Sequence, residues 1–77
     1  MTFLGKAIAE QRAERKFSLR EAAKVAALSH EAVRKVEAGE GTIESAVRIA
    51  VALGLPRRVV CDLLTQDLPR LVARMAA

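Results

Sequence analysis

Residues 17–39, FSLREAAKVAALSHEAVRKVEAG, form the stretch that decides the fold. Ser18 is followed three residues later by Glu21, a pairing typical of a capping box at a helix start. Ser29 is a second good N-cap, and Gly39 suits the left-handed backbone position that follows a helix end. Only Ala27, Leu28 and Ser29 connect the two helices, and so short a connection must be a sharp corner. The stretch therefore predicts two short helices joined by a tight turn, which is a helix-turn-helix.

The side chains of the two predicted helices suit that arrangement. Ala22, Ala23 and Ala26 form a small-residue stripe, which lets the first helix approach a neighbour closely. Val33 and Val36 lie three residues apart and provide the second helix with one narrow apolar edge. The other faces of this helix carry His30, Glu31, Arg34 and Lys35. We expect the second helix to be held along its valine edge and exposed along its charged faces.

Residues 5–64 resemble a Cro/lambda-repressor-type helix-turn-helix domain of the xenobiotic-response-element (XRE) family. The resemblance is carried by Arg12, Ser18, Ala22-Ala23, Ser29, Val33, Val36-Glu37-Ala38-Gly39 and Leu53-Gly54-Leu55-Pro56. Two positions depart from the family pattern. Leu19 stands where the family usually has Gln, so one contact to DNA is in question. Ala27 stands where the family usually has Gly at positive φ, a conformation that costs alanine roughly 1 kcal/mol.

Apolar spacing outside the motif predicts further helices. The first spans residues 3–16, and a fifth begins near Pro56. A fourth helix over residues 43–53 is capped by Thr42 and buries Ile43, Ala46, Val47, Ala50 and Leu53. The expected fold is all-α: a compact five-helix, lambda-repressor-like domain over residues 1–64, followed by a short C-terminal sixth helix within residues 65–77.

The predicted sixth helix has an apolar stripe. Its members are Leu68, Leu71, Val72 and Met75, spaced i, i+3, i+4 and i+7. Because so short a helix is marginal alone, it must bury the stripe against another surface. The helix either folds back as extra core or pairs with the same helix of a second chain. We expect the second outcome, with all four residues at a dimer interface.

The family resemblance implies that the second motif helix enters the major groove of double-stranded DNA. The family's base-reading positions fall on His30, Glu31, Ala32, Arg34 and Lys35. Contacts to phosphate are expected from Lys16, Ser18, Leu19, Arg20 and Ser29, those at the helix start through backbone amides. Lys35 can donate to guanine, and Glu31 can accept from cytosine. The resemblance also implies a partly buried ion pair between Arg12 and Glu37, which would tie the first helix to the third.

The distribution of charge agrees with a nucleic-acid partner. Residues 12–35 contain seven Lys/Arg and three acids, and the segments before and after each sum to zero, so this region holds the whole net charge of +4. Such a basic region attracts phosphate, and on charge alone a solvated face explains it equally well. The lone Cys61 cannot form an internal disulfide, which is typical of a reducing compartment. No run approaches the roughly 20 apolar residues of a membrane span, and no signal peptide is apparent. We expect a cytoplasmic protein, located at the nucleoid when bound to DNA.

The expected function is sequence-specific transcriptional regulation, by a repressor that binds a palindromic operator as a homodimer. The alternative is a protein-binding module, such as an antitoxin or a regulator subunit, that uses residues 68–75 or the acidic residues 37–44 against a protein partner. Catalysis is not expected, because His30 and Cys61 are the only residues of their kinds and lie far apart in sequence. They do not supply a four-ligand zinc set either, so neither metal nor cofactor is expected.

Overall fold

The computed structural model describes residues 2–76. Five α-helices follow one another: α1 (Phe3–Glu14), α2 (Leu19–Ala26), α3 (His30–Glu37), α4 (Ile43–Ala52) and α5 (Arg57–Ala76). The all-α architecture and the helix-turn-helix formed by α2 and α3 are as predicted. α1 ends two residues before the expected position, since Lys16 already has the left-handed φ of 58°.

The core lies between α1, α2, α3 and α4, and α5 packs against α1 and α4. The buried apolar side chains of the core are Leu4, Ile8, Ala22, Ala23, Ala26, Val33, Val36, Ile49, Ala50, Leu53 and Val60. α2 contributes only alanines to this set, so α3 and α4 can both pack closely on it.

The buried face of α4 differs from the prediction by one residue. Ile49 is fully buried, although the sequence pattern did not select it, whereas Ile43 is 45% exposed. Ala46, Ile49, Ala50 and Leu53 follow the helical spacing i, i+3, i+4 and i+7, and Val47 also packs against the core as predicted. Ile43 is in the first turn, where it lines a small cavity beside α5 instead of filling the core.

The prediction of a separate sixth helix is wrong, because α5 continues without a break to Ala76 and includes Pro69. Proline in a helix removes one backbone hydrogen bond, here the one that the carbonyl of Thr65 would accept. The segment is nevertheless held by Asp67, which is only 3% exposed. Its Oδ1 accepts from the amide of Phe3 at 2.8 Å, and its Oδ2 accepts from the amide of Leu4 at 3.0 Å. This tertiary contact places α5 across the start of α1.

Asp67 completes the capping of α1. The hydroxyl of Thr2 accepts from the amide of Gly5 at 2.9 Å, and the amide of Lys6 donates to the carbonyl of Thr2 at 3.0 Å. The first four amides of α1, which lack partners inside the helix, are therefore all hydrogen-bonded. A carboxylate also interacts favourably with the positive end of the helix dipole. The boundary expected after residue 64 thus falls inside a helix whose later turns hold α1 in place.

The four residues expected at a dimer interface are divided between two environments. Leu71 is half-buried and lines the cavity beside Leu4 and Leu64 of its own chain. Leu68, Val72 and Met75 are 45%, 59% and 82% exposed. The second half of α5 therefore packs on its own domain through one face and exposes an apolar stripe on the adjacent face.

Candidate nucleic-acid interface

The first helix of the motif begins with a complete capping box. The amide of Glu21 donates to Oγ of Ser18 at 3.1 Å, and the amide of Ser18 donates to Oε1 of Glu21 at 2.8 Å. The bond from the Ser18 amide to the carboxylate lowers the pKa of the Glu21 carboxyl, because it favours the ionised form. The start of α2 lies within the basic region of residues 12–35 and is fixed by two residues that are three apart in sequence.

The turn between α2 and α3 is formed by residues 27–29. Ala27 adopts the left-handed conformation, with φ 59° and ψ 41°, as the family resemblance implied. The amide of Leu28 donates to the carbonyl of Ala23 at 2.9 Å, which closes the end of α2. Ser29 then caps α3 by accepting from the amide of Ala32 at 3.2 Å. The corner is therefore tight and hydrogen-bonded on both sides.

α3 is held along one edge, as its sequence predicts. Val33 is fully buried and Val36 is 3% exposed. Two glycines allow the surrounding backbone to approach Val36 closely. A Cβ at Gly5 would lie 2.5 Å from the carbonyl oxygen of Val36, and a Cβ at Gly41 would collide with the Val36 side chain. The valine edge thus sits between α1 and the loop that follows α3.

Arg12 and Glu37 tie α1 to the end of α3. Nε of Arg12 donates to Oε2 of Glu37 at 2.7 Å, and Nη2 donates to Oε1 at 3.1 Å. A third donor of the same guanidinium, Nη1, bonds the carbonyl of Phe17 at 2.9 Å. The hydrogen bonds that Arg12 donates to Glu37 raise the pKa of Arg12 above its ordinary value. One side chain therefore joins α1, the connection to α2 and the base of α3.

The predicted base-reading residues lie together on the outer face of α3. His30, Glu31, Arg34 and Lys35 are exposed, and Ala32 is half-buried. All five are carried by the first two turns of a helix whose opposite edge is fixed in the core. This geometry presents a row of polar side chains outward on a rigid element.

The predicted phosphate-contacting residues lie at or just before the starts of α2 and α3. Lys16, Ser18, Arg20 and Ser29 are exposed at the starts of α2 and α3 or just before them. Leu19 differs, since its side chain is half-buried and packs against the core. Only the backbone amide of Leu19 is therefore suited to a phosphate. Within residues 2–76, Lys16, Arg20 and Lys35 make no salt bridge, so their charges are available to an anion.

Sequence reasoning missed one contact within the site, the pairing of Glu31 with Arg34. Oε1 and Oε2 of Glu31 each lie 3.1 Å from Nε of Arg34, and Nη2 of Arg34 also donates to Oε1. The hydrogen bond lowers the pKa of Glu31 and raises that of Arg34. The i, i+3 spacing was a signal for this pair. The family resemblance implied a separate base contact for each of the two residues, whereas in the structure they bind each other.

Other types of site find no support in the described part of the chain. No group of three or more His, Cys, Asp or Glu side chains is arranged to hold a metal ion among residues 2–76. None of the helices described has both the length and the apolar character to cross a membrane.

The chain was compared with known proteins. No curated protein and no solved structure matches it significantly. A family model described as Helix-turn-helix matches residues 8–60, which is more than half of the chain and contains α2, the turn and α3. This domain implies DNA binding and a role in transcriptional regulation, and its family is typically non-enzymatic. The chain belongs to the Cro/C1-type (XRE) helix-turn-helix family.

Proposed function

We propose that the protein is a sequence-specific transcriptional repressor that binds a palindromic operator as a homodimer. The observation that supports this most directly is the exposed polar face of α3, which lies opposite an edge buried through Val33 and Val36. A helix held in this way can enter the major groove of DNA without rearrangement of the core. Repression then follows from occupation of the operator, in the cytoplasm at the nucleoid.

Base recognition is assigned to the start of α3. Lys35 donates to O6 or N7 of guanine, Glu31 accepts from N4 of cytosine, and the methyl group of Ala32 contacts a thymine methyl. His30 and Arg34 complete the set of base contacts. Each good base contact contributes roughly 1–3 kcal/mol of discrimination against the wrong base.

Contacts to phosphate position the helix. Lys16 and Arg20 are exposed and supply positive charge, and the amides at the starts of α2 and α3 supply further donors to phosphate. The hydroxyls of Ser18 and Ser29 already accept bonds from amides of their own helices and can donate their protons to phosphate oxygens. These contacts carry no sequence information but fix the orientation of α3 on the duplex.

A dimer is proposed because one recognition helix reads only a few base pairs. Two copies on half-sites about one helical turn apart double the length of sequence read. The exposed stripe of Leu68, Val72 and Met75 offers an apolar surface to a second copy of α5. Leu71 belongs to the edge of that surface, since it packs mainly on its own chain.

The test is selection of duplexes from a random pool by the purified protein, followed by sequencing. We expect an inverted repeat, and we expect Lys35→Ala to lose preference at one position in each half-site. Lys6→Ala is the matched control, because it removes the same charge from the exposed surface of α1. An unchanged sequence preference in Lys35→Ala would contradict base recognition by this residue. A selected pool without any enriched sequence would contradict the proposed function.

The second candidate function is a protein-binding module, such as an antitoxin. The same exposed residues of α5 favour it, since they also suit a different protein partner. The two functions differ in the effect of salt on DNA binding. A regulator that neutralises several phosphates loses affinity steeply as salt rises, whereas a protein-binding module has no operator affinity to lose.

A further inference from the structure

The pair formed by Glu31 and Arg34 lies in the centre of the proposed reading face. Both oxygens of the Glu31 carboxylate lie 3.1 Å from Nε of Arg34, and Nη2 donates to one of them. The two side chains are 48% and 53% exposed, so the pair faces solvent on the same side as His30 and Lys35. Its position is where a bound duplex would meet the helix.

The pairing occupies two donors, Nε and Nη2, that an arginine can also use on DNA. Two parallel N–H groups of a guanidinium bind the O6 and N7 atoms of guanine, or two oxygens of a phosphate. In this structure those groups of Arg34 are directed to Glu31. The lowered pKa of Glu31 means that the carboxylate is ionised near neutral pH and retains its partner. The pair therefore presents no net charge to a duplex.

We propose that Glu31 is a specificity-determining residue that acts by restraining Arg34. On DNA of unrelated sequence, Glu31 keeps the guanidinium away from the phosphates and so limits non-specific affinity. At the operator, one base pair offers partners to both side chains, and the two separate. This inference rests on the proposed function, because it concerns how the same face distinguishes an operator from other DNA.

The chemistry of the base edges determines which base pair can bind both Glu31 and Arg34 after they separate. A C·G pair offers the N4 donor of cytosine to the carboxylate and the two acceptors of guanine to the guanidinium. The phosphate backbone offers acceptors alone, so it satisfies Arg34 but repels Glu31. Separation of the pair is consequently compensated in full only in the major groove, at a C·G pair within each half-site.

A double-mutant cycle tests this restraint directly. The variants are Glu31→Ala, Arg34→Ala and the double variant, each titrated with a random-sequence duplex and with the selected operator at several salt concentrations. We expect Glu31→Ala to steepen the salt dependence on random DNA by about one unit of log K per log salt, because Arg34 gains a phosphate. Its preference for the operator should fall roughly fivefold or more.

The Arg34→Ala background decides whether the effect passes through the arginine. There, Glu31→Ala should leave the salt slope on random DNA unchanged, because no guanidinium remains to be released. The same steepening in both backgrounds would overturn the proposal, since Glu31 would then act through its own charge. Asp62→Ala is the charge-matched control on the exposed side of α5 and should leave slope and preference as in the unmodified protein.

The outcomes separate this inference from the function on which it rests. If the unmodified protein binds operator and random DNA equally, both the function and the restraint are wrong. If it discriminates, but Glu31→Ala retains the same salt slope and the same preference, the restraint alone is wrong. Thermal unfolding of each variant, followed by circular dichroism, confirms that the compared proteins are folded.

Discussion

At the scale of single residues, Ala27 is an alanine in a backbone conformation that favours glycine. Its φ of 59° lies in the left-handed region, which glycine adopts without a Cβ penalty. We expect Ala27→Gly to raise the free energy of unfolding by about 0.5–1 kcal/mol, after allowance for the greater freedom of glycine in the unfolded chain. Urea denaturation measures the change. Ala38→Gly is the matched control, because Ala38 ends α3 with an ordinary right-handed φ of −81° and should gain nothing. Equal effects in the two variants would contradict the explanation.

Glu21 gives the stability of the fold a dependence on pH. Its folded-state pKa is lowered, first by the backbone bond from Ser18, so it binds protons less readily in the folded protein than in the unfolded chain. Its contribution is therefore present above the unfolded pKa of about 4.3 and is lost as pH falls through the lower folded value. We expect the melting temperature of the unmodified protein, relative to Glu21→Gln, to decline across that acid window. If the melting temperatures of the two proteins changed in parallel with pH, the capping carboxylate would make no pH-dependent contribution to stability.

At the scale of helices, Asp67 determines how α5 sits on α1. Asp67→Ala leaves the partly buried amide of Phe3 and the buried amide of Leu4 without their charged acceptor. We expect a loss of about 2–3 kcal/mol in the free energy of unfolding. Asp62→Ala, at an exposed position of the same helix, should change it by less than about 0.5 kcal/mol. Similar losses from both substitutions would mean that the capping of α1 from α5 contributes little.

The ion pair between Arg12 and Glu37 makes a second connection between helices. Its side chains are only 23% and 14% exposed, so removal of one partner leaves the other charge largely screened from water. We expect Arg12→Ala and Glu37→Ala each to cost about 2–3 kcal/mol. The double variant should cost at least about 1 kcal/mol less than the sum, because both changes remove the same interaction. Additive losses, measured by chemical denaturation, would contradict a direct coupling.

At the scale of the whole molecule, the exposed stripe of α5 is the proposed contact between two copies. We expect Val72→Glu to convert the dimer to a monomer and to lower operator affinity, while binding to a single half-site at high protein concentration persists. Val51→Glu is the control, since Val51 of α4 is 58% exposed, almost as much as Val72 at 59%. Sedimentation equilibrium reports the mass. A dimer that persists in Val72→Glu would exclude this stripe as the interface.

The sequence by itself determined the features that depend on neighbours a few residues apart. The caps of α2, α3 and α4 rest on Ser18, Ser29 and Thr42, each bonded to an amide three residues later. The buried edge of α3, with Val33 and Val36, follows from helical spacing. Because such interactions form within a single turn of helix, the residues that make them can be recognised from their order in the chain.

Only the tertiary structure decided how the remaining groups are partnered. Asp67 caps amides 64 and 63 residues away, and that contact accompanies a helix that continues through Pro69. The orientation of α5 likewise decided that Leu71 packs inward while Val72 remains exposed. In each case residue type and spacing allow several arrangements, and packing between distant segments selects one.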